Sequence, residues 1–198
     1  MTLTVAITGG IGSGKSTFSN EVLKKKLKLF DSDKQVHKIY KIPKKNFLEY
    51  LNKIGLEKAV QNKNINKNII RNTIFTDYKI KKKLENYIFN IVRREREGFI
   101  KKHRRRNTKI IFFDIPLLFE NDLTNNFDVV ISIISSKKNR FQRLKSSKKI
   151  SIEIFNNIIK SQTSDVVRKE KSDIVIYNNT SMENYIKKIH KALERILP

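Results

Sequence analysis

The sequence predicts an α/β fold: a five-stranded parallel sheet with helices packed on both faces. Three observations lead there. Apolar runs of strand length recur along the 198 residues. Stretches with helical spacing separate them. A glycine-rich turn joins the first of these strands to the first helix.

Thr2 to Ile7 alternates and is β-prone, which suits a strand. Gly9 to Gly14 follows as a loop, with a helix expected from Lys15 to about Leu23. Leu27 to Phe30 is a short second strand, ending at Asp31-Ser32-Asp33. Lys109 to Asp114 (KIIFFD), Val129 to Ile134 and Asp173 to Tyr177 (DIVIY) supply the other three. KIIFFD is apolar at consecutive positions, as a strand covered on both faces must be. Lys137 to Leu144 and Ser151 to Gln162 read as helices, the latter with Ile154, Phe155, Ile158 and Ile159 on one side. The last helix opens with Thr180 and Glu183 spaced as a capping box. Met182, Ile186, Ile189, Leu193 and Ile196 then form its core-facing stripe.

Residues of about 40 to 106 differ in character. They are dense in Lys and Asn, and Ile69, Ile70, Ile74 and Phe75 suggest one helical face. Leu84, Ile88, Ile91, Val92 and Phe99 suggest another, so a mostly helical insertion is expected. The Lys/Asn-rich patch near residues 61 to 68 reads as an exposed loop. The run Lys101 to Arg106 is either a solvated helix end or an anion contact.

Composition narrows the chemistry. Cys is absent, which excludes disulfides, thiolate zinc sites and a thiol nucleophile. Three His without H-E-x-x-H spacing argue against a metalloprotease. No apolar run is long enough to cross a membrane. Met1 leads into an apolar segment without a basic n-region, so no secretory signal and a reducing, cytoplasmic setting are expected. The formal charge of +24 attracts polyanions. The chain is also crowded with Lys, Asn and Ile, the residues of AT-rich codons, so charge alone decides no partner.

Gly9-Gly10-Ile11-Gly12-Ser13-Gly14-Lys15-Ser16 matches G-x-x-x-x-G-K-[ST] at every fixed position, between a strand and a helix. Glycines let main-chain N–H groups converge on one anion, and the helix start adds its positive end. Lys15 suits the β- and γ-phosphates, the Ser16 hydroxyl suits Mg²⁺, and Thr17 suits the α-phosphate. A nucleoside triphosphate is therefore the expected ligand. Strand C-termini line the ligand crevice in such sheets. Asp31 and Asp33 either cap the following helix or supply a base that deprotonates an acceptor hydroxyl. Asp114, ending KIIFFD, either holds Mg²⁺ through water or serves as a cap. Asn62-Lys63-Asn64-Ile65 fails the N-K-x-D guanine reader, which argues against a GTPase.

These motifs, with Ile115-Pro116-Leu117-Leu118-Phe119-Glu120 and Ile176-Tyr177-Asn178-Asn179, resemble the dephospho-CoA kinase family across nearly the whole chain. The resemblance implies a P-loop NTPase three-layer sandwich and transfer of the ATP γ-phosphate, with Mg²⁺, to the ribose 3′-hydroxyl of dephospho-CoA. It implies a core of residues 1–40 and 105–198, a helical CoA-binding insertion at 41–104 and a helical lid at 144–166. Asp33 would be the general base, working with Lys15. Gly12, Ser13, Gly14, Lys15, Ser16 and Thr17 would hold the phosphates, with Ser16 the metal ligand. Asn178 and Asn179 would lie beside adenine, while Pro116, Leu117, Leu118 and Glu120 would shape the acceptor pocket. A cytoplasmic monomer is expected, with no nucleic-acid or membrane partner.

Three positions depart from the family pattern. Phe89-Asn90 stands where members carry His-Pro. Lys67 replaces an Arg, keeping charge without the planar fork. Ser147 occupies the position of a lid arginine, with Lys148 or Lys149 as stand-ins. Two other readings compete: a kinase for nucleosides or nucleoside monophosphates, and a basic ATP-dependent nucleic-acid-binding protein. No interleaved basic-aromatic motif supports the latter.

Overall fold

A computed structural model describes residues 1–148 and 150–197. The expectations about Ser147, Lys148 and Lys149 concern side chains outside that description. The chain divides into two compact units, Met1–Asp31 with Lys101–Pro198, and Ser32–Ile100.

The first unit contains five parallel strands: β1 (Leu3–Thr8), β2 (Lys28–Asp31), β5 (Ile110–Asp114), β6 (Val129–Ile134) and β7 (Ile174–Tyr177). Their spatial order is β2-β5-β1-β6-β7, so β1 is central. Every residue of β5 is buried. Ile110 and Phe112 join the core cluster that also holds Val5, Ile7, Ile131 and Ile133. Phe113, on the opposite face, packs against Phe30 and Phe127 at 5.9 and 5.1 Å between ring centres. That two-sided burial explains the unbroken apolar run in the sequence. Asp173 precedes β7, and its carboxylate accepts the Val130 N–H at 2.7 Å.

Helices α1 (Lys15–Lys24) and α9 (Met182–Ile196) cover the first face through Phe18, Val22, Tyr185, Ile189, Ala192 and Leu193. Two expectations for α9 need correction. Ser181, not Thr180, caps it, accepting the Asn184 N–H. The buried stripe is Tyr185, Ile189, Ala192 and Leu193, while Met182 is 58% exposed, because the phenol at 185 takes the inward place. Three further helices are α6 (Lys137–Lys148), α7 (Ile152–Lys160) and α8 (Asp165–Glu170). Ser151 caps α7, which turns Phe155 inward against Phe141; Ile154 points outward instead of joining that face.

The second unit holds α2 (Ser32–Lys41), α3 (Lys45–Lys53), a hairpin of β3 (Val60–Gln61) and β4 (Asn64–Ile65), α4 (Lys67–Thr76) and α5 (Tyr78–Arg105) through Ile100. Its core is Phe47, Leu51, Ile54, Leu56, Ala59, Ile70 and Leu84. Tyr50 and Tyr87 stack beside it at 3.9 Å. The patch at 61 to 68 is not a plain loop: Asn62 and Lys63 turn the hairpin with positive φ, and the Asn66 side chain caps α4. On α4, Ile70 is buried but Phe75 is 91% exposed, contrary to the expected face. The cationic run ends α5, and within it His103 is buried, its Nδ1 3.1 Å from the Thr108 hydroxyl.

Candidate active site

The loop of residues 9 to 14 leaves the C-terminal end of the central strand and enters α1. It is folded by a turn in which Ser13 N–H donates to Gly10 O at 3.1 Å. Gly14 sits in the left-handed region at the helix N-cap, with φ 109°. Gly9 has φ 148°, and a Cβ there would strike the Ile133 main-chain carbonyl on β6. A Cβ on Gly14 would in turn strike the Asn178 amide nitrogen, so both positions need glycine for conformation and for space.

Every carbonyl from Gly9 to Gly14 accepts a hydrogen bond from the protein. Lys15 Nζ donates to Gly9 at 2.9 Å, and Ser13 N–H serves Gly10. Arg140 Nε donates to Ile11 at 2.8 Å, and Arg143 Nη1 to Gly12 at 3.2 Å. Asn178 Nδ2 donates to Ser13 at 2.8 Å, and the Tyr185 hydroxyl to Gly14 at 3.0 Å. A trans peptide is planar, so each anchored carbonyl turns the following N–H the opposite way. Ile11 N–H donates to Gln162 Oε1 at 3.0 Å. The N–H groups of Gly10, Gly12 and Gly14 point away from the anchored carbonyls, as in a nest of main-chain amides. Such a nest selects an anion.

Arg140 adds a second cation to that of Lys15. Its side chain is 3% exposed, and Nη1 lies 3.4 Å from Asp165 Oδ2. Nη2 is buried without a protein acceptor, and a Cβ on Gly10 would collide with this guanidinium. The remaining donor thus sits against the loop, with its hydrogens unused. Burial draws Arg140 below the usual arginine value, Asp165 pulls it back, and it remains a cation. Asp165 also accepts Arg168 Nη1 at 3.0 Å, and Arg168 Nη2 reaches Glu120 Oε1 at 3.3 Å. Glu120 accepts the Thr163 N–H as well, at 2.7 Å.

The chemistry of these residues suits a polyphosphate: a row of amides, two cations and a buried Arg140 donor without a protein acceptor. For a divalent cation, Ser16 presents an exposed hydroxyl in the first turn of α1. Asp114, at the end of β5, accepts the Ser19 hydroxyl at 2.6 Å. Among the described residues no group of three or more His, Asp or Glu could hold a metal alone. That donor set suits Mg²⁺, which keeps waters and shares phosphate oxygens rather than entering an all-protein cage.

The other sequence-predicted residues fall as follows. Thr17 lies half-buried in α1. Asn178 is 4% exposed and bridges Ser13 O to Arg143. Asn179 Oδ1 accepts the Ser135 hydroxyl and the Ser136 N–H, tying the end of β6 to the end of β7. Pro116 O accepts the Thr8 hydroxyl, Leu117 is exposed and Leu118 is fully buried. Asp31 and Asp114 end neighbouring strands in register. Asp33 stands in the first turn of α2, in the second unit. There it lines a cavity of about 410 Å³ together with Val36, His37 and Tyr40, which share its face of α2. Lys67, Ile70, Arg71 and Ile74 of α4 complete the lining at the same i, i+3, i+4, i+7 spacing.

Sequence reasoning missed Arg140, Arg143, Gln162 and Asp165. A signal existed: two arginines three apart, at the start of the helix that leaves a strand C-terminus, point to that crevice.

The sequence profile of dephospho-CoA kinase matches residues 3–184. A dephospho-CoA kinase of Fusobacterium nucleatum is 34% identical over 193 residues, 97% of each chain. The solved dephospho-CoA kinase of Campylobacter jejuni superposes with a TM-score of 0.75 at 25% identity, covering 99% of this chain and 98% of that one. TT1252 from Thermus thermophilus shares the fold, with a TM-score of 0.81 at 22% identity over 99% and 98% of the two chains. A profile that runs from the first strand into the last helix, through the anchored loop, makes this chain a member of the dephospho-CoA kinase family.

Proposed function

We propose that this chain performs the family reaction, moving the γ-phosphoryl group of ATP to the ribose 3′-hydroxyl of dephospho-CoA to give CoA. The observation that carries the reading is the glycine loop whose six carbonyls are all anchored, with the Lys15 ammonium on Gly9 O and Arg140 Nη2 against the loop without a protein acceptor. Gly12, Ser13, Gly14, Lys15, Ser16 and Thr17 bind the phosphates. Lys15 exchanges Gly9 O for the transferring group. Arg140 counters charge there, a role in which an arginine contributes about 10³–10⁵ in rate. Mg²⁺, when bound, would be held by the Ser16 hydroxyl, with Asp114 through water, and would supply positive charge against the phosphates.

The Asp33 carboxylate takes the proton of the 3′-hydroxyl. The freed oxygen bonds to the γ-phosphorus, and the bond to the β–γ bridging oxygen breaks, releasing ADP. Asn178 acts on the nucleotide through the loop it holds, and the chain of Ile176 to Asn179 borders the base. Leu117, beside Pro116, offers apolar surface to the acceptor, while Leu118 and Glu120 support that segment from beneath. A basic chain suits a donor and an acceptor that both carry several negative charges.

The test is ATP consumption with Mg²⁺ and dephospho-CoA, with CoA identified as product. Asp33→Asn is expected to lower kcat by about 10²–10⁴-fold with the KM for ATP little changed. No CoA from the unaltered protein would refute the reading. Unchanged turnover in Asp33→Asn would remove that residue from its role.

A further inference from the structure

The cationic run Lys101 to Arg106 takes no part in the phosphate site, and the fold adds cations to it from elsewhere in the chain. β2 begins at Lys28, and Lys109 immediately precedes β5. Lys28 is in register with Ile111, two residues beyond Lys109. Side chains two apart on a strand share a face, as do partners on neighbouring strands. Lys28 and Lys109 therefore lie on one face, at the N-terminal edge of the sheet. His103 reports the same grouping: besides burial, Lys102, Arg106 and Lys28 all push its imidazole below the usual 6.5, and no acid counters them. A cavity of about 390 Å³ opens here, lined by Met1, Thr2, Arg104, Asn107 and Lys109, all in the first unit. Among the described residues, Lys28, Lys102, Arg104, Arg106 and Lys109 form no ion pair. A helix C-terminus favours cations, which accounts for Lys102 and Arg104 in the last turn of α5. It does not account for Lys28 or Lys109, which stand at the starts of strands. AT-rich codons explain how many lysines the chain has, not why cations gather round a cavity without an acid. Like charges held together repel, and a bound anion would relieve that repulsion.

We propose that this cavity is a second anion site, taking a chain of two or three phosphate groups at the opposite end of the sheet from the phosphate loop. The six residues of β1 separate the two by about 20 Å. The lining selects the class of ligand. Arginine matches phosphate oxygens with a planar fork, and lysine adds a point charge. Thr2 and Asn107 add neutral hydrogen-bonding groups. No aromatic ring lines the cavity to stack on a base. Its volume is at the lower end of the range for small-molecule sites, which suits a short phosphate chain rather than a nucleic-acid strand.

The experiment titrates the full chain with inorganic tripolyphosphate while a saturating, non-hydrolysable ATP analogue occupies the phosphate loop. Ring NMR signals of His37, His103 and His190, the three histidines of the chain, are followed with pH. Bound phosphate adds negative charge beside His103, so its pKa is expected to rise while those of the other two stay unchanged. Arg104→Ala/Lys109→Ala is expected to raise the Kd for tripolyphosphate by about tenfold or more and to abolish the His103 response. Both side chains are exposed, so the Tm stays unchanged. Lys53→Ala/Lys58→Ala removes the same charge from exposed positions of the second unit and is expected to alter neither reading. CDP, titrated in the same way, tells whether the chain is taken free or carried on a nucleoside; binding of either with the His103 response supports the site. Equal weakening by the two double variants overturns the proposal, because the attraction is then diffuse. So does binding that leaves His103 unmoved, or no binding once the loop is filled. A nucleic-acid duplex that binds more tightly than tripolyphosphate and loses affinity in Arg104→Ala/Lys109→Ala overturns it too, making the patch a backbone contact instead.

Discussion

Removing the Asp165 carboxylate is expected to strand Arg140. Asp165 holds Arg168 at 3.0 Å and Arg140 at 3.4 Å, and the two arginine side chains are 1% and 3% exposed. Two unit charges at that longer separation attract by about 5 kcal/mol at an effective dielectric constant of 20. The acid itself is 35% exposed, so water screens part of this. Stranding a buried charge costs about 3–5 kcal/mol. Arg168 keeps Glu120, so one guanidinium loses its acid rather than two. Asp165→Ala is therefore expected to lose about 2–3 kcal/mol. For a chain of this length that lowers Tm by about 4–12 °C. Circular dichroism melts measure it. The double variant Asp165→Ala/Arg140→Met leaves no stranded charge at 140 and is expected to recover part of the loss. Turnover does not return, since the donor against the loop is gone. A single variant melting within about 1 °C of the unaltered chain would refute the reasoning, as would a double variant less stable than the single.

Two further outcomes follow from the glycines and from a buried imidazole. Gly9→Ala places a Cβ against the Ile133 carbonyl and is expected to abolish nucleotide binding or folding; Gly98→Ala, in α5 with open space around it, is expected to gain about 0.5–1 kcal/mol. A melt showing equal effects at the two positions would contradict this. Burial, more than the nearby Lys102, Arg106 and Lys28, holds His103 below the usual 6.5. The unfolded chain therefore takes up the proton first as pH falls. Stability from this group is complete above 6.5 and declines from there toward the lower folded value. Urea midpoints between about pH 8 and 5 are expected to fall for the unaltered chain and to flatten in His103→Gln; a midpoint rising in acid would overturn the assignment.

The strands and the phosphate loop were legible because their signals are local. KIIFFD needs two covered faces wherever it lies, and G-G-I-G-S-G-K-S turns by the backbone options of its own glycines. The stripes on α7 and α9 were legible only in period. Which neighbour lies beneath decides whether Ile154 or Phe155, Met182 or Tyr185, turns inward. The hairpin at residues 60 to 65 escaped because its strands are two residues each, too short for alternation to register. The Thr180–Glu183 spacing misled, since Ser181 is chemically as good a cap and it is the Ser181 hydroxyl that accepts the Asn184 N–H. The arginine cluster was hidden for another reason. Arg140 meets Ile11 across 129 residues and Asn178 meets Ser13 across 165. No window of the sequence contains both partners.

The bond from Lys15 to the Gly9 carbonyl ties the far end of a long side chain back to the loop that precedes it. An ammonium held in this way gives up its rotamer freedom on folding rather than later. In the proposed reaction, capture of a polyphosphate would therefore swap a neutral acceptor for an anionic one instead of recruiting a wandering charge, and release would be that exchange in reverse.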